Sequence, residues 1–199
     1  MNTNNFPQSA VGWMAIATGV SGTLATISIT LMYTVEPSFG SVNDVFNAVL
    51  GIASGLLAWM FYPQHHARSP RMSQIAVVLA VVGMIFTIIG STLILFDFTG
   101  FVLAGFYNAV GNGLIGLWLV AFCSTMRNAD TLPHNLLMFG LVVGAIMALG
   151  VFCIPGILAG VDSMESLPWY LLAGFLGFLG TYLLYPIWTF WLGRRIKRK

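Results

Sequence analysis

Apolar runs recur along the chain, separated by short stretches that hold nearly all of its charge. Each run is close to the ~20 residues that an α-helix needs to cross a ~30 Å hydrocarbon core. Six such helices are predicted, at about 11–33, 45–62, 74–96, 101–123, 135–161 and 167–192. The expected fold class is therefore an all-α membrane protein, a single polytopic membrane domain over 1–199 with no room for a soluble one. Composition agrees, because only 7% of the residues are charged, against about 25% in soluble domains. The opening MNTNNFPQSA has no Lys or Arg and so lacks the positive region of a secretory signal, and Asn2 stands where myristoylation requires glycine. The first helix is expected to stay in the mature protein.

Charge orients these helices. If the N-terminus is cytoplasmic, the loops near 34–44, 97–100 and 162–166 lie outside, and those near 63–73 and 124–134 lie inside with the C-terminus. All eight basic residues (Arg68, Arg71, Arg127, Arg194, Arg195, Lys197, Arg198 and Lys199) are then inside. Glu36, Asp44, Asp97, Asp162 and Glu165 are outside and only Asp130 inside. The positive-inside rule thus predicts a multi-pass protein of the cell (inner or plasma) membrane with both termini cytoplasmic. Trp59, Tyr62, Trp188 and Trp191 at inner ends, and Trp169 and Tyr170 at an outer end, suit the headgroup level. The tail GRRIKRK reads as a stop-transfer anchor.

The polar residues inside the runs carry a second pattern. FNAVLGIASG at 46–55 returns 61 residues later as YNAVGNGLIG, and 46–61 shares six of its sixteen residues with 107–122. The same period links Gly55, Gly116 and Gly177 in even-numbered helices, and Gly22, Gly83 and Gly144 in odd-numbered ones. Three tandem helical hairpins with pseudo-threefold symmetry about the membrane normal would produce it. The rivals are shared composition, since transmembrane helices are rich in Gly, and an inverted pair of three-helix halves, for which no comparable matches occur.

Asn47, Gly51, Gly55 and Ala58 follow one another at i+3 or i+4 and form one stripe, as do Gly105, Ala109, Asn112 and Gly116, with Asn108 on the flank. Such small-residue stripes let helices approach closely, so they should face protein. An unpaired amide costs several kcal/mol in hydrocarbon, which leaves two readings of the asparagines. They bond across helices, or they line a cavity open to the outer side with Asp44, Asn43 and Tyr107. Asp44 also fits a capping box Ser41-Val-Asn-Asp44, and Asp97 the positive end of the fourth helix. The hydroxyls of the first helix, among them Thr18, Ser21, Thr23, Thr26 and Thr30, can bond back to their own helix carbonyls.

Catalytic, metal and cofactor signals are not found, and the expected sets are empty. His65, His66 and His134 share the inner side without a zinc spacing and read as loop residues. Cys123 and Cys153 differ in depth by roughly 20 Å and cannot pair. Pro155 and Pro186 interrupt the last two helices, and each frees a carbonyl that something must satisfy. The leading expectation is a non-enzymatic protein that binds or transports a small neutral or weakly polar molecule between the even-numbered helices, with Asp44, Asn47, Tyr107, Asn108 and Asn112 as the candidate ligand-binding residues. The alternatives are a structural or accessory membrane subunit, and a lipid-modifying enzyme using the three histidines. Expected partners are the lipid bilayer, a small-molecule ligand, and further copies of the chain or a partner subunit; nothing points to nucleic acid.

Overall fold

The computed structural model describes residues 6–127, 131–163 and 168–198; Asn2, Asp130, Glu165 and Lys199, to which the sequence assigns roles, lie outside them. It is 88% helical, with six helices long and apolar enough to span a membrane and no strand among the described residues. They are α1 (Gln8–Thr34), α2 (Phe39–Arg68), α3 (Pro70–Leu95), α4 (Phe101–Met126), α5 (His134–Leu158) and α6 (Trp169–Lys197). The chain is an integral membrane protein with an all-α, six-helix fold.

Helices adjacent in sequence pack side by side, and α6 closes the ring by packing on α1. Both termini and the 63–73 connection define one end of the bundle, here the terminal end. The opposite, loop end carries the α1–α2, α3–α4 and α5–α6 connections. The even-numbered helices lie deeper: α4 is the most buried and α3 the least. Glycine makes this density attainable. A Cβ on Gly83 would come within 2.5 Å of the Gly111 carbonyl, and one on Gly116 within 2.7 Å of the Gly144 carbonyl, so α3–α4 and α4–α5 cross nearly backbone to backbone.

Several helix ends differ from the sequence reading, for one physical reason: hydropathy marks where lipid stops, whereas backbone hydrogen bonds carry a helix further. The α2 helix begins at Phe39, so Ser41 and Asp44 are internal to it and no side chain caps its start. The capping-box reading of Asp44 fails on that geometry. At its other end α2 runs through Pro63 to Arg68, which puts His65 and His66 on a helix rather than in a loop. His65 is buried, its Nε2 3.1 Å from Thr125 Oγ1. The Thr125 hydroxyl donates to the Ala121 carbonyl, so the imidazole N–H is the donor in this pair. Trp188, expected at an interface, is fully buried and donates its Nε1–H to the Leu136 carbonyl at 3.1 Å.

Asp97 does not cap α4 either. It adopts the left-handed conformation, φ 56°, and ends α3 in a Schellman turn in which the Phe98 N–H bonds the Leu93 carbonyl. Gly160, φ 62°, ends α5 in the same way, with the Val161 N–H on the Gly156 carbonyl. That second turn delivers Asp162 to the start of α4, where its carboxylate accepts the N–H groups of Gly100 (2.5 Å) and Leu103 (3.1 Å). An acid does sit at the positive end of α4, but it comes from the α5–α6 connection.

Candidate functional site

Proline shapes the last two helices. Pro155 has no N–H for the Val151 carbonyl; α5 tightens to 3₁₀ over Leu149–Cys153, and the Ile154 N–H bonds that carbonyl instead. Pro186 likewise leaves the Tyr182 carbonyl without its ordinary partner. Here α6 widens to a π turn over Gly180–Leu184, and the Thr26 hydroxyl of α1 shares its proton between this carbonyl at 2.7 Å and the Gly22 carbonyl of its own helix at 2.8 Å. Most other hydroxyls of α1 bond their own helix only, as expected: Thr18 to Met14 O, Ser21 to Ala17 O, Thr23 to Gly19 O and Thr30 to Thr26 O.

The π turn sets the aim of Tyr182. Its hydroxyl donates to Asn47 Oδ1 at 3.0 Å, and Asn47 Nδ2 lies 2.8 Å from the phenolic oxygen and 3.2 Å from Asn43 Oδ1. One amide thereby joins α2 to α6. Below it, Tyr185 donates to Ser54 Oγ at 3.1 Å, and Ser54 donates to the Leu50 carbonyl. The terminal-end half of α6 packs on α1, whereas its loop-end half packs on α4 and α5. The helix therefore diverges from α1 toward the loop end.

Where they part, a cavity of about 200 Å³ remains, walled by all three even-numbered helices together with α1. Asn43, Asp44, Asn47, Asn108 and Tyr182 supply its polar groups, and the rest of the wall is apolar or aromatic, including Tyr33, Phe106 and Phe178. A Cβ on Gly105, which also lines it, would meet nothing within 4 Å. Tyr33 and Phe175 line the cavity while being 71% and 47% exposed on the outside of the bundle. The cavity accordingly opens between α1 and the loop-end half of α6.

Of the five residues singled out by sequence, the structure brings Asp44, Asn47 and Asn108 to this cavity. Tyr107 does not line it, and packs at a tilt against Phe86 of α3 with ring centroids 5.9 Å apart. Asn112 lies one turn deeper on α4, buried outside the lining. Neither Asn112 Nδ2 nor Asn108 Oδ1 has a hydrogen-bond partner. Asp44 is only 4% exposed, and among the described residues no donor or cation reaches its carboxylate.

Tyr182 was the residue missed. Its signal was present: a phenol four residues before Pro186, in the middle of an apolar run, needs a partner for its hydroxyl. Elsewhere the described residues form no cluster of three or more metal-ligating side chains. Cys123 and Cys153 are free and buried near opposite ends of the bundle. No family model matches this chain, and comparison with curated proteins and with solved structures gives no significant match.

Proposed function

We propose that this integral membrane protein binds a small, weakly polar molecule in the cavity between α2, α4 and α6. The observation that supports it is a gathering of three deeply buried polar side chains from α2 and one from α4 on one otherwise apolar, open cavity. Convergent polar groups on an apolar concavity are the ordinary form of a small-molecule site. At about 200 Å³, it is smaller than the ~300–1,000 Å³ of drug-sized sites, so it takes a small molecule or the head of a longer one. With the basic residues clustered at the terminal end, the cavity faces the non-cytoplasmic side, where it can serve as the entry to a transport path. The accessory-subunit reading draws support from Asn47, whose amide is already used in joining α2 to α6.

A thermal-stability screen of small amphiphiles separates the two. A ligand held at a hundredfold its Kd stabilises the folded state by about 2.7 kcal/mol. Gly105→Trp fills the cavity without touching a helix crossing and should abolish that stabilisation. If no amphiphile stabilises the wild type, or if Gly105→Trp responds equally, the cavity is not a binding site.

A further inference from the structure

The polar groups of the cavity are not equivalent. Asn47 and Tyr182 satisfy each other, and Asn43 accepts from Asn47. The Asp44 carboxylate is left with no protein donor and no cation among the described residues, though the burial around it is nearly complete. A carboxylate accepts hydrogen bonds and, when ionised, donates none. Burying one unpaired costs far more than burying it beside a positive charge. No Lys, Arg or His lines the cavity, so no cation there would offset the charge of a phosphate or a carboxylate ligand beside Asp44. The walls, in contrast, include the rings of Tyr33, Phe101, Phe106, Phe175, Phe178 and Tyr182, and aromatic rings attract desolvated ammonium groups.

We infer that the ligand is an amphiphilic amine, its ammonium head on Asp44 within the aromatic cavity and its apolar chain leaving through the opening between α1 and the loop-end half of α6. This deepens the proposed function and rests on it. The opening suits a chain because its outer surroundings are apolar: Leu172 is 66% and Leu176 42% exposed beside Phe175. An ammonium head also belongs to phosphatidylethanolamine, but the phosphate of that lipid would sit near Asp44 with no cation to meet it.

The test uses the full chain in phosphatidylcholine nanodiscs and three probes with one chain length: octylammonium, 1-octanol and octanoate. Octylammonium should bind at least tenfold more tightly than 1-octanol, and octanoate more weakly than either. This ranking is read on the wild type and needs no variant. Asp44→Asn should bring octylammonium to within about twofold of 1-octanol. Equal binding of amine and alcohol to the wild type, or a preference retained in Asp44→Asn, overturns the amine assignment. If 1-octanol still binds and is lost in Gly105→Trp, the cavity reading survives that result. Binding of none of the three probes, or binding unaffected by Gly105→Trp, overturns both. Adding phosphatidylethanolamine to the discs should not displace octylammonium; displacement would assign the site to a lipid headgroup.

Discussion

Buried amides and glycines in this bundle look alike in sequence and differ in what surrounds them. Asn47 has three hydrogen-bond contacts, so Asn47→Leu should cost about 1–2 kcal/mol of stability in detergent, in keeping with interhelical bonds in membranes. Asn112 Nδ2 has none, so Asn112→Leu should be neutral or stabilising by thermal melting; a loss as large as that of Asn47→Leu would show that its environment is polar. Glycines separate in the same way. A Cβ on Gly55 would meet Met84 Sδ at 2.8 Å, the flexible part of a side chain that can move aside. The Cβ of Gly116→Ala would meet backbone on α5, which cannot. Gly116→Ala should therefore cost about 1–3 kcal/mol and Gly55→Ala less than half of that, measured as midpoint shifts in the same detergent. Sequence spacing placed Asn47 and Asn108 inside the bundle and Gly51, Gly55 and Gly116 against protein, but it did not foresee that Gly105 of the same stripe faces the cavity. It could not distinguish a satisfied amide from an unsatisfied one, because the partner of Asn47 is 135 residues away at Tyr182.

At the scale of the helix, hydropathy located all six spans, and it erred where irregular backbone or an extra turn lies beyond the apolar run. Asp44 shows the cost of that error. Taken as a capping residue outside the membrane helix it needed no further explanation, whereas one and a half turns inside α2 it becomes an uncompensated carboxylate on the cavity wall. The two prolines were legible as places where a carbonyl is released, but not what receives it. In α5 the chain solves this locally by tightening to 3₁₀, and in α6 it recruits Thr26 from the neighbouring α1. Thr26 is thus distinct from the other hydroxyls of α1 in reaching a second helix, whereas loss of the others removes at most a bond within α1. Thr26→Val should lower stability by about 1 kcal/mol, and Thr30→Val, which breaks only its bond to the Thr26 carbonyl, should stay within a few tenths. Equal effects for the two would mean that the Tyr182 carbonyl finds another donor.

The whole molecule is a ring of helices, and the 61-residue glycine period can be followed around it through its contacts. Gly22 meets Pro186 of α6 and Gly144 meets α4, each odd-numbered helix touching the even-numbered helix of the preceding hairpin; Gly55 meets α3 and Gly116 meets α5, each touching the following hairpin. Gly83 and Gly177 instead have their nearest neighbours, Gly111 and Gly150, within their own hairpins. The contacts thus repeat for two members of each triplet, and a threefold arrangement stands as a proposal with those two departures. Charge is distributed more simply than packing. Arg68, Arg71, Arg127, Arg194, Arg195, Lys197 and Arg198 all lie at the terminal end, where Lys197 Nζ stands 3.3 Å over the Trp13 ring, while the loop end carries the acids Glu36, Asp97 and Asp162. Each Lys or Arg near a short loop resists translocation during insertion, and none opposes these by residing at the other end. The protein should accordingly be inserted with its terminal end in the cytoplasm. After Cys123 and Cys153 are replaced by Ala, single cysteines at the exposed positions Ala67, Ser38 and Ser163 report the outcome with a membrane-impermeant maleimide applied to intact cells. Ser38→Cys and Ser163→Cys should react, and Ala67→Cys should react only after the cells are opened. The reverse pattern would invert the molecule and turn the Asp44 cavity toward the cytoplasm, whereas labelling of all three in intact cells would mean that the chain is inserted in both orientations.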